Sequence, residues 1–267
     1  MEAHANSVED RLIDGLSFKL SPGASYVQER KSVTFHPQGS NSYSANGTKL
    51  IKLQITGDGW LDPSTFRVMF DLVNAETTEA KELRPLGGPW CFFRRMRVLA
   101  ANQVIEDIDN YNRVHEMFST LTATDSRVNT AAEGFGQYWD FRDSSTIPLT
   151  TLSLSGIKGG QSQTVLFKPL SGLLGQGKMI PLRYCPLTFE FELVNNATIP
   201  ILSSLTGTGD GHFTAANTSL LWSIANCQVK VDVCTLDNSL DNSYAEHLLN
   251  GKALPINFST YVSQTQS

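Results

Sequence analysis

This sequence is short of charge. Charged residues make up 18% of its 267 positions, against roughly 25% in an ordinary soluble domain. What charge there is leans acidic, with 21 Lys and Arg against 26 Asp and Glu and a net charge of −5. A protein whose main partner is a nucleic-acid duplex needs a basic surface to displace counterions from phosphates, so that class is excluded as the primary function. No apolar run reaches the roughly 18 residues of a membrane-spanning helix. The opening MEAHANSVEDRLIDG is acidic where a secretion signal is basic and then apolar, so neither a membrane span nor export is expected. Cysteine is scarce too: Cys91, Cys185, Cys227 and Cys234 stand apart, without a C-x-x-C pair. Cys227 and Cys234 are an odd number of residues apart, which on one strand puts them on opposite faces and argues against a shared metal. All four read as reduced, buried small side chains. The N-x-S/T sequons at Asn46, Asn196, Asn217 and Asn257 read as chance in a chain rich in Asn, Ser and Thr.

What is present is aromatic and strictly patterned. With 14 Phe, 7 Tyr and 4 Trp, the chain is not disordered. In TKLIKLQIT, Ile51, Leu53 and Ile55 alternate with Lys52, Gln54 and Thr56; FRVMFDLV repeats the pattern with Phe66, Val68, Phe70 and Leu72. LTFEFELV sets Phe189, Phe191 and Leu193 against Glu190 and Glu192, and CQVKVDVC sets Val229, Val231 and Val233 against Gln228, Lys230 and Asp232. Period two with one apolar face marks half-buried antiparallel strands. Further strands are predicted near 31–36, 91–99, 102–108 (after a turn at Ala101-Asn102), 163–168 and 218–226. Two segments follow helical spacing instead: Tyr111, Val114, Phe118 and Leu121 behind Asn110 as a cap, and Leu240, Tyr244 and Leu248 before Gly251 and Pro255. Long Gly/Ser/Thr/Asn loops join the rest. Many short strands with one or two short helices predict an all-β antiparallel sandwich of jelly-roll type.

Every catalytic or ligand motif fails at a required position. SGLLGQGKM has the glycines and Lys178 of a phosphate loop, but Met179 stands where Ser or Thr must hold magnesium, and Pro181 forbids the following helix. His115-Glu116 begins H-E-x-x-H, yet Ser119 occupies the second histidine's place. Glu190 and Glu192 share a strand face whose neighbours make it a solvated or subunit-facing surface rather than a carboxylate pair. The turn GTGDGH at 207–212 offers one Asp where calcium needs about six oxygen ligands. The five histidines at 4, 36, 115, 212 and 247 lie on five separate elements, against a cupin-type metal site. The expectation is a protein that is not an enzyme, with no cofactor and no metal.

GGPWCFFRRMRVLA at 87–100 breaks the rule that one strand face is apolar. Alternation puts Phe92, Arg94, Met96 and Val98 on one face and Phe93, Arg95, Arg97 and Leu99 on the other. Aromatic-plus-Arg surfaces are favoured at protein interfaces; equally, the arginines have Glu106, Asp107 and Asp109 nearby as ion-pair partners. Loop 122–150 carries Phe135, Tyr138, Trp139 and Phe141 without periodicity that would bury them locally, and a neighbouring subunit is the simplest cover. Phe92, Arg94, Arg95, Arg97, Trp139 and Phe141 are therefore the candidate assembly contacts.

Several long segments resemble a known family: LSFKLSPGASYV at 16–27, GTKLIKLQITGDGWLDPSTFRVMFDLVN at 47–74, LRPLGGPWCFFRRMRVLAANQVIEDIDNYNRVHEMF at 83–118, then KMIPLRYCPLTFEFELV and CQVKVDVCTLD. They are similar to the double jelly-roll major capsid proteins of tailless icosahedral DNA viruses, of the polinton-like, virophage and adeno-like group, in their N-terminal half. The resemblance implies an eight-stranded jelly roll over 1–237 and a linking helix and turn over 238–253. It makes 254–267 the start of a second jelly roll, or a strand given to another subunit. It further implies a structural shell protein of the virion, assembled inside the host cell, whose partners are copies of itself in trimeric, pseudo-hexameric capsomers and other capsid proteins. Residues 1–35 hold Arg11, Lys19, Arg30 and Lys31 against Glu2, Glu9, Asp10, Asp14 and Glu29, so there is no basic arm and no sequence-specific grip on nucleic acid is expected. The alternatives are a carbohydrate-binding jelly-roll module, against which the scattered tryptophans at 60, 90, 139 and 222 speak, or a cellular protein domesticated from a capsid gene. In LPINFSTYVSQ, Ile256, Phe258, Thr260 and Val262 alternate with Asn257, Ser259, Tyr261 and Ser263. That pattern predicts a strand that pairs outside the first barrel.

Overall fold

The computed structural model describes residues 27–123, 125–126, 133–135, 156–202 and 215–264. The alternating segments are strands, and the apolar half of each alternation is the core. Strand β1 is Val27–Phe35, β2 Ser42–Tyr43, β3 Leu50–Ile55, β4 Trp60–Leu61, β5 Arg67–Asn74, β6 Phe93–Ala100 and β7 Gln103–Asp109. They are followed by β8 Ser162–Phe167, β9 Ile180–Pro181, β10 Leu187–Leu193 and β11 Trp222–Leu236. Two antiparallel sheets result. One runs β8-β5-β11-β4-β9, with β1 and β2 also pairing with β11; the other runs β3-β10-β6-β7. This is the jelly-roll sandwich that the sequence pattern predicts, with the separately predicted strands at 218–226 and 227–234 fused into the single long β11.

The described residues within 32–233 and 256–264 form one compact unit, which holds the sandwich core. Val68, Phe70 and Leu72 of β5 face Ile51, Leu53 and Ile55 of β3 and Phe189 and Phe191 of β10, all essentially without solvent exposure. Aromatic contacts fix the spacing: the Phe70 ring meets Phe93 and Phe167 edge to face with centroids 5.8 and 6.4 Å apart, and Phe66 lies tilted against Phe189 at 4.6 Å. Asn74 is one of the buried polar residues, at 0% exposure. It is fully employed: its amide donates to the Lys81 and Ile157 carbonyls at 3.0 and 2.8 Å, and its carbonyl accepts from the Ser219 hydroxyl at 2.7 Å. A buried amide so satisfied ties three loops at the end of β5.

Local geometry departs from plain alternation at several places. The β6–β7 hairpin turns on Ala101 and Asn102, both at positive φ (47° and 67°), the two-residue turn whose twist matches a hairpin. In β6, Phe93 pairs with Leu193 and Arg95 with Glu192, so Arg94 is the extra residue of a bulge. In β11 the pairing with β5 skips between Ala225 and Gln228, with Asn226 at φ 50°. The burial pattern of β11 changes phase again after Val231, so Cys227 and Cys234 are both buried despite their odd spacing. No disulfide joins the cysteines; Cys185 alone is half-buried.

Helix α1 (Tyr111–Leu121) begins after Asn110, which adopts the left-handed conformation (φ 49°) and makes no side-chain cap bond. The cap predicted from sequence is thus a backbone device here. Tyr111 is wholly buried, and its hydroxyl accepts from the Leu170 N–H at 2.8 Å. Within SGLLGQGKM, Ser171 caps a single helical turn, α2 (Gly172–Gly175), by accepting from the Leu174 N–H.

Residues 27–31 and 234–255 belong to a second compact unit, with the ends of β1 and β11 and helix α3 (Asn238–Leu249). Asp237 caps α3 by accepting from the Ser239 N–H at 3.0 Å, and Gln28 donates to the same side chain at 3.0 Å. Gly251 at φ 74° ends the helix, its N–H on the Leu248 carbonyl at 3.0 Å.

Candidate functional site

The outer face of the four-stranded sheet gathers the sequence-predicted arginines. β10 lies between β3 and β6, so Glu190 stands opposite both Lys52 and Arg97, and Glu192 opposite Arg95. Arg97 reaches Glu190 at 2.7 Å and Lys52 reaches it at 3.6 Å. Glu190 is thereby only 8% exposed. Arg95 forks onto Asp107 with bonds of 2.8 and 2.5 Å. That pairing holds the Asp107 carboxyl below its usual range, because the hydrogen-bonded guanidinium favours the anion. Arg94 lies 3.6 Å from Asp109 and 3.8 Å from Glu192. Arg94, Arg95 and Arg97 thus form intramolecular ion pairs on a neutral lattice of alternating sign. Glu106 takes no part.

Phe92 is a correction. Alternation places it beside Arg94 as a surface contact, but it lies in a 3-10 turn (Pro89–Phe92) and is wholly buried, 4.8 Å from the Trp222 ring. The turn is the reason, since Phe92 precedes β6 and strand alternation does not reach it; within β6 the bulge at Arg94 lets both Phe93 and Met96 enter the core. Trp139, Phe141 and the GTGDGH turn lie outside the described residues.

Glu106 itself points inward from β7 beside Ile108 and is 1% exposed. Its carboxylate accepts from the Ser171 hydroxyl at 2.5 Å, the Gly172 N–H at 2.6 Å and the Thr260 hydroxyl at 3.1 Å. These donors come from two distant stretches of chain. Residues 256–264 therefore lie against the barrel, outside any strand ladder. Ile256, Phe258 and Tyr261 pack on the core, Tyr261 stands 4.8 Å from Phe118 of α1, and the Ser263 hydroxyl donates to the Asp109 carbonyl at 2.5 Å. A Cβ on Gly172 would sit 1.9 Å from the Ser259 carbonyl oxygen, so the close approach requires glycine. The strand alternation read from LPINFSTYVSQ stops at Ser259: Tyr261 turns inward and Val262 is 87% exposed. The sequence held one signal of Glu106's role, a carboxylate two residues from Ile108 in a strand.

Beside this groove, Trp90 stacks on His115 at 3.9 Å and donates to Glu116 at 2.7 Å. His115 Nε2 meets the Lys168 carbonyl at 3.2 Å, and burial pushes its pKa down to about 4. On the outer face of the larger sheet, the β11 bulge opens a shallow depression of about 550 Å³ lined by His36, Asn41, Asp71, Thr164, Asn226 and Gln228. Asp71 accepts there from Thr164 and Asn226 at 2.5 and 2.7 Å. Among the described residues no group of three or more His, Cys, Asp or Glu is placed to hold a metal, and no helix is long and apolar enough to cross a membrane.

The sequence matches no protein-family model and no curated protein. The fold does match solved structures. PBCV-1 VP54, in a crystal structure fitted into a cryo-EM reconstruction of the virophage Sputnik, is similar over 86% of this chain and 47% of its own, with a TM-score of 0.51 at 15% identity. The quasi-atomic model of the PBCV-1 virus capsid gives 0.50 over 85% of this chain and 47% of that chain, at 15% identity. The 3.5 Å cryo-EM structure of the Sputnik virophage gives 0.50 over 84% and 52%, at 10% identity. The chain spans about half the length of these proteins, and over that half it has the jelly-roll fold of double jelly-roll major capsid proteins.

Proposed function

We propose that this chain is a structural protein of a viral capsid and builds the icosahedral shell through trimeric, pseudo-hexameric capsomers. The observation that carries this reading is the fold likeness to PBCV-1 VP54 and the Sputnik virophage over most of the chain. Residues 1–237 then supply one jelly roll and 238–253 its linking helix and turn. Arg94, Arg95 and Arg97 contribute to contacts between copies by rearranging ion pairs already present on the outer face, a neutral lattice of alternating sign suited to a neighbour of the same kind. The partners are other copies and further capsid proteins, and the place of work is the virion, after assembly in the host cell. No step of catalysis is assigned.

A carbohydrate-binding module gains no support from the depression at the β11 bulge, whose lining offers no Trp or Tyr face for a sugar ring to stack on. Sedimentation velocity and cryo-EM of the purified chain test the shell reading. Trimers or larger closed assemblies are expected; a species that stays monomeric at every concentration overturns it.

A further inference from the structure

Past Pro255 the chain returns to the sandwich's own compact unit after passing through helix α3, which belongs to the other. It is held there in a groove between the terminal strand β7, helix α1 and the Ser171–Gly172 turn. Every hold is a side chain in a fitted place: Phe258 and Tyr261 on the core, Thr260 on Glu106, Ser263 on Asp109. Gly172 leaves room for the Ser259 carbonyl and for nothing larger. No ladder bond ties residues 256–264 to β7, so releasing them breaks no backbone pairing. Glu106 is what makes an empty groove unfavourable, since it would keep a buried carboxylate short of one donor.

We propose that this groove is an exchange site, and that in the assembled protein it receives residues 256–264 of a second copy. The inference rests on the shell reading above. The same contacts form whether the segment arrives from its own chain or from a neighbour, so tether and concentration alone decide between them. A flexible tether supplies an effective concentration on the order of millimolar. In dilute solution the chain's own segment wins; in a shell, where copies crowd to a similar density, the neighbour's segment competes on equal terms. The tether is residues 250–255, which turn at Gly251 and include no buried residue. The occupant is named by the groove: small at Ser259, hydroxylated at Thr260, aromatic at Tyr261.

The test uses two full-length variants, Phe118→Cys and Tyr261→Cys, each in a background where the half-buried Cys185 is replaced by Ser and the three other cysteines are buried, mixed in equal amounts under assembling conditions and then oxidised. Exchange predicts a disulfide-linked heterodimer of twice the chain mass, absent when either variant is oxidised alone. A second pair on exposed positions, Met117→Cys and Val262→Cys, joined by a short bismaleimide, gives the same reading without touching packed side chains. If wild type assembles and neither mixture yields a heterodimer, the segment stays on its own chain and the exchange is wrong while the shell reading stands. If wild type never assembles and no heterodimer forms, both fall.

Discussion

The carboxylate of Glu106 and the backbone N–H of Gly172 meet at 2.6 Å across 66 residues of sequence. The bond sits where β7, the α2 turn and the C-terminal segment converge, and both partners are buried. Removing the acceptor strands the Gly172 N–H and the Ser171 hydroxyl in a dry place, at about 1–3 kcal/mol for each unsatisfied group. Glu106→Ala is therefore expected to destabilise the fold by about 3 kcal/mol, and Glu106→Gln, which keeps an acceptor oxygen, by less. Urea denaturation measures both; equal midpoints for wild type and Glu106→Ala would refute the role.

Gly172→Ala should act on the segment rather than on the barrel. Its Cβ needs the space of the Ser259 carbonyl, so residues 256–264 are expected to lift away. Limited proteolysis or hydrogen exchange should show this segment becoming accessible while β5 and β10 keep their protection. A barrel that loosens together with the segment would contradict it.

The arginines of β6 separate by burial. Arg97→Ala leaves Glu190, 8% exposed, with only the longer Lys52 contact, and should cost about 1–2 kcal/mol, since the loss of a hydrogen bond to a nearly buried charge is felt. Arg95→Ala breaks a pair open to water and should cost less, about 0.5 kcal/mol, shrinking further in salt. Asp107 adds a pH signature. Its folded pKa is depressed by Arg95, so its contribution is present above the ordinary carboxylate range and disappears as pH falls through the folded value. Denaturation midpoints in low and high salt, repeated at acid pH, check the ordering; a larger loss for Arg95→Ala would reverse it.

His115 predicts a second pH dependence, in a different window. Its folded pKa of about 4 lies below the ordinary 6.5, because the ring is stacked on Trp90 and sheltered from water. The native state favours the neutral ring, so the contribution is full above pH 6.5. It declines as pH falls from 6.5 towards 4, where the unfolded chain takes up a proton that the folded chain refuses. His115→Gln should flatten the stability profile between those limits. Parallel profiles for the two proteins would show that the histidine is not the group responsible.

Much of this molecule is written in its period-two runs. RVMFDLVN and LTFEFEL could bury their aromatic residues in only one way, so β5, β10, β3 and the core between two antiparallel sheets follow from local pattern alone. The helical spacing of Tyr111 to Leu121 and the Gly251 stop were legible for the same reason, because each depends on residues within a turn or two of one another. Phe92 was not legible. Whether it faces solvent or core depends on the 3-10 turn ahead of β6, which seats its ring against Trp222 from a distant stretch of the chain. Glu106 was not legible either: acidic residues beside arginines read as surface ion pairs, and only the fold brings Ser171, Gly172 and Thr260 around a carboxylate that β7 turns inward. The terminal run LPINFSTYVSQ carries a strand's alternation, but a strand exists only where a partner offers its backbone. Here the groove beside β7 offers side-chain pockets and a glycine gap instead, and the tertiary structure, not the pattern, decided what that segment became.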